Sequence, residues 1–165
     1  MITKPVVLIG PMGVGKTTIG KKLAKRLGLP FVDTDQLIVA EHGPIQEIFA
    51  NQGEATFRIY EEESLANALS KISVVATGGG AVLSLKNRDL LKNSTVIYLS
   101  TTGLHMKSRL EKGSRPLLKN GMDDWNRIYD ERKPIYRNVC DFEINTSSAG
   151  LAKTIDLICE KLEQL

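Results

Sequence analysis

The sequence predicts an α/β domain built on a mostly parallel sheet with helices on both faces. Three observations carry that reading. Short apolar runs rich in β-branched residues recur between helical stretches, as expected for strands buried on both faces. A glycine-rich loop joins the first such run directly to a helix. The 165 residues suit one domain around one core.

Val6-Val7-Leu8-Ile9 is the first strand, and Gly10 to Gly15 is the glycine-rich loop. From Thr17 to Leu27, Ile19, Leu23 and Leu27 share a helical face, while Lys21, Lys22, Lys25 and Arg26 lie largely elsewhere. Gly28 and Pro30 end that helix. Phe31-Val32 is a second strand ending at Asp33. Helical pieces follow from Asp35, broken at Gly43-Pro44 and Gly53, and Phe57 to Leu69 predicts a longer helix. Val74-Val75-Ala76 is a third strand that runs into Gly78-Gly79-Gly80. A helix around Asn87 to Lys92 leads to a fourth strand, Val96-Ile97-Tyr98-Leu99, and then to a helix from about Thr102 to Leu110. Residues 111–124 are polar, contain two glycines and a proline, and have little periodicity, which marks a candidate mobile lid. Helix returns from Asp124 to Asn138 with an interruption expected near Pro134. Phe142-Glu143-Ile144 is a fifth strand, and Leu151 to Leu162 closes the chain with an apolar helix face. No repeat, low-complexity segment or linker divides residues 1–165, so a single domain is expected.

Composition narrows the function. Apolar residues make up 42% and charged residues 25%, an ordinary globular balance. The net charge of +3 is not gathered into a basic stripe, so no nucleic-acid partner is expected. No apolar stretch approaches a membrane span. Cys140 and Cys159 match no zinc or C-x-x-C spacing and read as reduced, partly buried thiols, pointing to a cytoplasmic protein. His42 and His105 fit no motif and are expected to be exposed.

Gly10-Pro11-Met12-Gly13-Val14-Gly15-Lys16-Thr17 fits G-x-x-x-x-G-K-[ST], the phosphate-binding loop. The pattern arises by chance in about one percent or less of chains this long. It also lies where its mechanism requires, between a buried strand and a helix. Its glycines let main-chain N–H groups turn toward phosphate oxygens, and the helix N-terminus adds positive potential. Lys16 reaches the β- and γ-phosphates, and the Thr17 hydroxyl is placed to ligate Mg²⁺. No N-K-x-D base motif of the GTPase switches is present, and larger ATPases need more chain. The loop with a following lid suits a small-molecule or nucleotide kinase.

Asp33-Thr34-Asp35 lies at the carboxyl edge of the sheet, where ligands bind in open α/β folds. The two carboxylates read either as a Mg²⁺ partner and an acceptor for the attacking hydroxyl, or as a helix cap at Asp35. Gly78-Gly79-Gly80 reads either as a tight turn or as backbone that a ligand approaches closely. The third strand ends without an acid, which leaves Asp33 as the Mg²⁺ partner. Arg58 precedes Glu61 by three residues, a spacing that lets the carboxylate orient the guanidinium. Arg115, in the lid, reads either as a group that stabilises charge in transfer or, like Arg58 and Arg132 taken singly, as a solvated surface arginine. Arg132 and Trp125 complete the candidates, the latter as packing at the lid base without a catalytic role.

The ordered set resembles the shikimate kinase family along nearly the whole chain. The matching pieces are Gly-Pro-Met-Gly-Val-Gly-Lys-Thr-Thr at 10–18, Asp-Thr-Asp at 33–35, Phe-Arg at 57–58, Gly-Gly-Gly at 78–80, Arg-Pro-Leu-Leu at 115–118 and Arg-x-Pro-x-Tyr at 132–136. The resemblance implies a three-layer P-loop kinase fold with a five-stranded parallel sheet in the order 2-3-1-4-5. It implies transfer of the ATP γ-phosphate to the 3-hydroxyl of shikimate, with one Mg²⁺ per subunit, in a cytoplasmic monomer of the chorismate and aromatic amino-acid pathway. Carried over, Asp35 contacts the shikimate hydroxyls as candidate base. Arg58 and Arg132 hold the carboxylate, Glu61 orients Arg58, and the backbone of Gly78, Gly79 and Gly80 meets the substrate. Gly13, Val14, Gly15, Lys16, Thr17 and Thr18 hold phosphate, Thr17 and Asp33 serve Mg²⁺, and Arg115 descends from the lid at about 111–124. The substrate segment spans about 33–61. Arg109 lies on the adenine, with Ser147 and Ser148 in the adenine loop. The rival readings are another P-loop kinase, such as a gluconate or nucleotide kinase, and a nucleotide-binding regulatory module without catalysis.

Overall fold

The computed structural model describes residues 1–111 and 115–165. Five parallel strands stand in the order β2-β3-β1-β4-β5: β1 (Val6–Ile9), β2 (Phe31–Asp33), β3 (Val74–Ala76), β4 (Thr95–Ser100) and β5 (Phe142–Asn145). This is the expected sheet. Its central strand lies fully inside, with Val7 in register with Val75 on one side and Val96 on the other.

The pleat sends alternate side chains of β1 to opposite faces, and each face has its own helical cover. Val6 and Leu8 pack with Ile19, Leu23 and Ala24 of α1 (Lys16–Leu27) and Ile155 and Ile158 of α8 (Leu151–Glu163). Val7 and Ile9 pack with Leu65 of α4 (Glu54–Ala68), Leu91 of α5 (Leu85–Leu91), Met106 of α6 (Met106–Leu110) and Trp125, Tyr129 and Tyr136 of α7 (Met122–Val139). A smaller cluster of Ile38, Ile48 and Phe57 ties α2 (Thr34–His42) and α3 (Ile45–Gln52) to α4. That satellite stands beside the carboxyl edge of β2 and forms one wall of the site.

Two elements depart from the sequence reading. Helix α7 starts at Met122 and runs unbroken through Pro134. Pro134 and Asp130 are both on the exposed side, so the carbonyl that loses its helical donor faces solvent and the helix continues. His42 is not exposed: its ring stacks on Tyr60 with centroids 3.5 Å apart, joining α2 to α4. His105 is exposed as expected. Among the described residues no helix is long and apolar enough to cross a membrane.

Candidate active site

The β1–α1 loop folds as its glycines require. Gly13 and Gly15 have φ of 78° and 108°, in the left-handed region that side chains disfavour. Helix α1 starts at Gly15 with no side-chain cap and no acid in its first turn, so its leading N–H groups remain available to an anion. They face a cavity of about 620 Å³ lined by Met12 to Ile19, Asp33, Asp35, Thr77, Arg109 and Arg115, together with Thr146, Ala149 and Gly150. All six nucleotide-binding candidates between Gly13 and Thr18 are on its wall.

Lys16 is buried, and its ammonium donates to the carbonyls of Gly10 at 2.7 Å and Pro11 at 2.8 Å. Burial pulls its pKa down to about 8, with Asp35 resisting and Arg115 reinforcing the fall. Thr17 donates to Asp33 Oδ2 at 2.6 Å. The other Asp33 oxygen accepts from the N–H groups of Asp35 at 3.0 Å and Gln36 at 3.3 Å. Asp33, not Asp35, is therefore the cap of α2, and the Asp35 carboxylate is left facing the cavity. Burial, and next the Asp33 charge, hold the Asp35 carboxyl above its ordinary value, while Lys16, Arg115 and Arg58 pull it back. Thr77, which takes the place of an acid at the end of β3, donates instead to the Leu8 carbonyl at 2.9 Å.

A second cavity, about 130 Å³, opens beside the first. Its polar wall is Asp35, Arg58, Glu61, Arg115, Arg132 and the backbone of Gly78 to Gly80; its apolar wall is Ile45, Phe49, Phe57, Pro116 and Leu117. Arg58 donates to Glu61 at 2.9 Å and to Glu54 at 3.0 Å, so the expected i,i+3 contact is joined by an i,i+4 contact from Glu54. Glu61 is 1% exposed, and burial raises its carboxyl pKa against the opposing Arg58 charge. Arg132 is buried but forms no ion pair with a described carboxylate. It lies beside Tyr136, whose hydroxyl donates to the Gly79 carbonyl and whose pKa burial pushes up to about 12. Buried positive charge without a counter-ion is costly. Arg132 on this small cavity thus points to an anionic ligand, and its planar fork, with the paired Arg58 beside it, suits a carboxylate.

The site's side chains press closely on Gly78 and Gly80. A Cβ on Gly78 would lie 2.8 Å from Glu61 Oε2 and 3.0 Å from Asp35 Oδ1. One on Gly79 would press on Met12 at 3.2 Å and only touch Arg132, and one on Gly80 would collide with the Arg58 guanidinium. The run is neither a simple turn nor only an opening for ligand: the site's own charged groups rest on it.

Elsewhere the structure redistributes the sequence candidates. Arg109 is on the wall of the larger cavity and donates to the carbonyls of Gly13 at 3.3 Å and Val14 at 3.4 Å. Ser147 and Ser148 do not line it. Ser147 shares its hydroxyl with Thr101 and accepts from the Thr102 N–H, and Ser148 bonds the Asn145 carbonyl, so both build the turn whose inner side is Thr146, Ala149 and Gly150. Trp125 is more than packing, because its indole N–H donates to the Met12 carbonyl at 2.9 Å. Residues 112–114 of the expected lid lie outside the described residues. No linear signal marks Phe49, Thr146 or Gly150 as wall residues; Tyr136 was visible only as part of the Arg-x-Pro-x-Tyr motif.

A phosphate loop that opens through a shared wall into a small cationic pocket defines a compact P-loop kinase. The chain belongs to the shikimate kinase family, whose model matches residues 12–163. It is 39% identical to the shikimate kinase of Rhodococcus jostii (strain RHA1), with 96% of this chain and 97% of the relative covered. It is 40% identical to that of Francisella tularensis subsp. novicida, with 94% and 93% covered. A shikimate kinase from Acinetobacter baumannii, solved in complex with shikimate, superposes with a TM-score of 0.91 at 34% identity, over 98% of this chain and 93% of that one. A gluconokinase from Sinorhizobium meliloti shares the fold at 16% identity and a TM-score of 0.61.

Proposed function

We propose that this chain transfers the γ-phosphate of ATP to the 3-hydroxyl of shikimate, releasing ADP and shikimate 3-phosphate on the route to chorismate and the aromatic amino acids. One observation carries the reading: Met12, Asp35, Gly78, Gly79 and Arg115 line both cavities, so a donor in the larger and an acceptor in the smaller meet across Asp35 and Arg115.

The residues then divide the work. Gly13 to Thr18 cradle the triphosphate, and Lys16 leaves its two carbonyls for the β- and γ-phosphates. Arg58 and Arg132 grip the substrate carboxylate, with Arg58 held by Glu61, and the Gly78–Gly80 backbone fixes the ring. Asp35 orients the attacking hydroxyl and takes its proton. Its place on the wall shared by the two cavities, with no described cation paired to it, supports that role, and burial holds its carboxyl above the ordinary range. Arg115 stabilises negative charge on the phosphoryl group in flight. Arg109 and the Thr146–Gly150 turn, framed by Ser147 and Ser148, enclose the base.

Mg²⁺ fits the floor of the larger cavity. Thr17 and Asp33 present two hard oxygens already in contact there, and Mg²⁺ commonly takes few protein ligands and completes its shell with phosphate and water. When bound, it would neutralise charge between the β- and γ-phosphates. We assign one ion per subunit to a single-domain cytoplasmic monomer without nucleic-acid or membrane partners. Its substrate segment spans about 33–61 and its lid about 111–124.

ADP release measured with shikimate, gluconate and nucleoside monophosphates as acceptors, with the product identified by phosphorus NMR, tests the reading. Turnover dependent on shikimate alone is expected. Release without shikimate dependence would overturn it.

A further inference from the structure

One face of α7 reaches the phosphate loop, the end of β4, the smaller cavity and the glycine run. Trp125, Tyr129, Arg132 and Tyr136 follow at i, i+4, i+7 and i+11, a single helical stripe. Trp125 bonds the phosphate loop at Met12. Tyr129 bonds the Tyr98 hydroxyl at 2.6 Å and accepts from the Thr101 N–H at 3.3 Å, at the end of β4. Arg132 faces the smaller cavity, and Tyr136 bonds Gly79. Trp125 itself is 2% exposed and lines neither main cavity.

We propose that Trp125 is a positioning residue for the nucleotide, acting through the Met12–Gly13 peptide. In a planar trans peptide the carbonyl and the following N–H point in opposite directions. The Met12 carbonyl is held toward α7 by the indole, which turns the Gly13 N–H the other way, toward the larger cavity that Gly13 lines. Among the described residues no acceptor takes that N–H, so it is left for a phosphate oxygen. Gly13, with its positive φ, permits the peptide to rotate. A glycine-flanked peptide can turn either way; the indole N–H selects the orientation that donates to the anion. Arg109 donates to the next carbonyl, that of Gly13, at 3.3 Å. The inference rests on the ATP-binding reading above.

The test uses the full chain and begins with wild-type turnover, so that failure of the kinase reading is seen separately. Trp125→Phe keeps a ring in the core and removes the N–H. The KM for ATP is expected to rise about five- to tenfold, the loss of one hydrogen bond, while the KM for shikimate stays within about twofold. General loosening of α7 would instead move both, because Arg132 is on the same helix. A wild-type KM for ATP in the variant, or a parallel rise in both, overturns the proposal. Trp125 is the chain's single tryptophan, which gives a second readout requiring no variant. Its emission is expected to shift when a non-hydrolysable ATP analogue binds, and unchanged emission at saturation would equally overturn the proposal.

Discussion

The two cavities that meet at Asp35 and Arg115 are built in opposite ways. The larger is built chiefly on one continuous stretch, Met12 to Ile19, whose N–H groups and buried lysine supply positive potential beside Arg109 and Arg115. The smaller is mostly side chain, drawn from α2, α3, α4, the glycine run after β3, the segment after residue 114, and α7. A main-chain cradle binds any triphosphate, whatever the neighbouring sequence. A side-chain pocket selects one acceptor but depends on several separate elements holding their places. The difference separates the donor's generic recognition from the acceptor's specific recognition.

Variants can break that division, and the largest effect is expected where the two cavities meet. Asp35→Asn should lower kcat by about two to four orders of magnitude, with the ATP dissociation constant nearly unchanged by calorimetry. It should also raise the melting temperature at pH 7. The folded-state pKa of Asp35 lies above the ordinary 3.8, so its charge costs stability once the pH exceeds that value. The thermal gain should therefore vanish below about pH 3.8, and a variant no more stable than wild type at pH 7 would show that burial of Asp35 is not a strain. Lys16→Ala should cost about two to three orders of magnitude in kcat, in a single-turnover assay that isolates phosphoryl transfer from product release.

Arg132→Ala strikes the acceptor side only. The shikimate KM should rise about ten- to a hundredfold through loss of charge-assisted hydrogen bonds, with kcat far less affected; equal losses in both would place Arg132 in the transferring-phosphate machinery instead. A pH profile sharpens the donor side. Lys16 in the free enzyme loses its proton above about pH 8, so kcat/KM for ATP should fall there. At saturating ATP the phosphates restore the charge, and kcat should lack that alkaline limb. Smallest of all, Ser147→Ala should change the ATP KM less than about twofold, since its hydroxyl serves a turn and not the cavity.

Legibility in the sequence followed the same divide. The phosphate loop was readable because its function needs consecutive residues in fixed spacing, and main-chain chemistry leaves a glycine signature. The sheet order came with the family resemblance, and the alternation of strands and helices supported it. Arg58, Arg132 and Asp35 were each ambiguous alone and became readable only as an ordered set. The choice between cap and acceptor for Asp35, and the bonding of Ser147 and Ser148 within their loop, stay open in the sequence for one reason: both depend on which way a short side chain points within a turn. The stacking of His42 on Tyr60 and the bond from Trp125 to Met12 join residues 18 and 113 positions apart, and no local pattern announces either.

By itself, then, the sequence determined the α/β architecture, the triphosphate loop and the kind of acceptor, because periodicity, glycine spacing and charge type are written along the chain. Only the tertiary structure decided that Asp33 caps while Asp35 faces the two cavities, that Gly78 and Gly80 make room for the site's own charges, and that α7 bonds the phosphate loop. Those outcomes depend on distances of about 3 Å between groups far apart in sequence, and such distances exist only once the sheet has brought its carboxyl edge together.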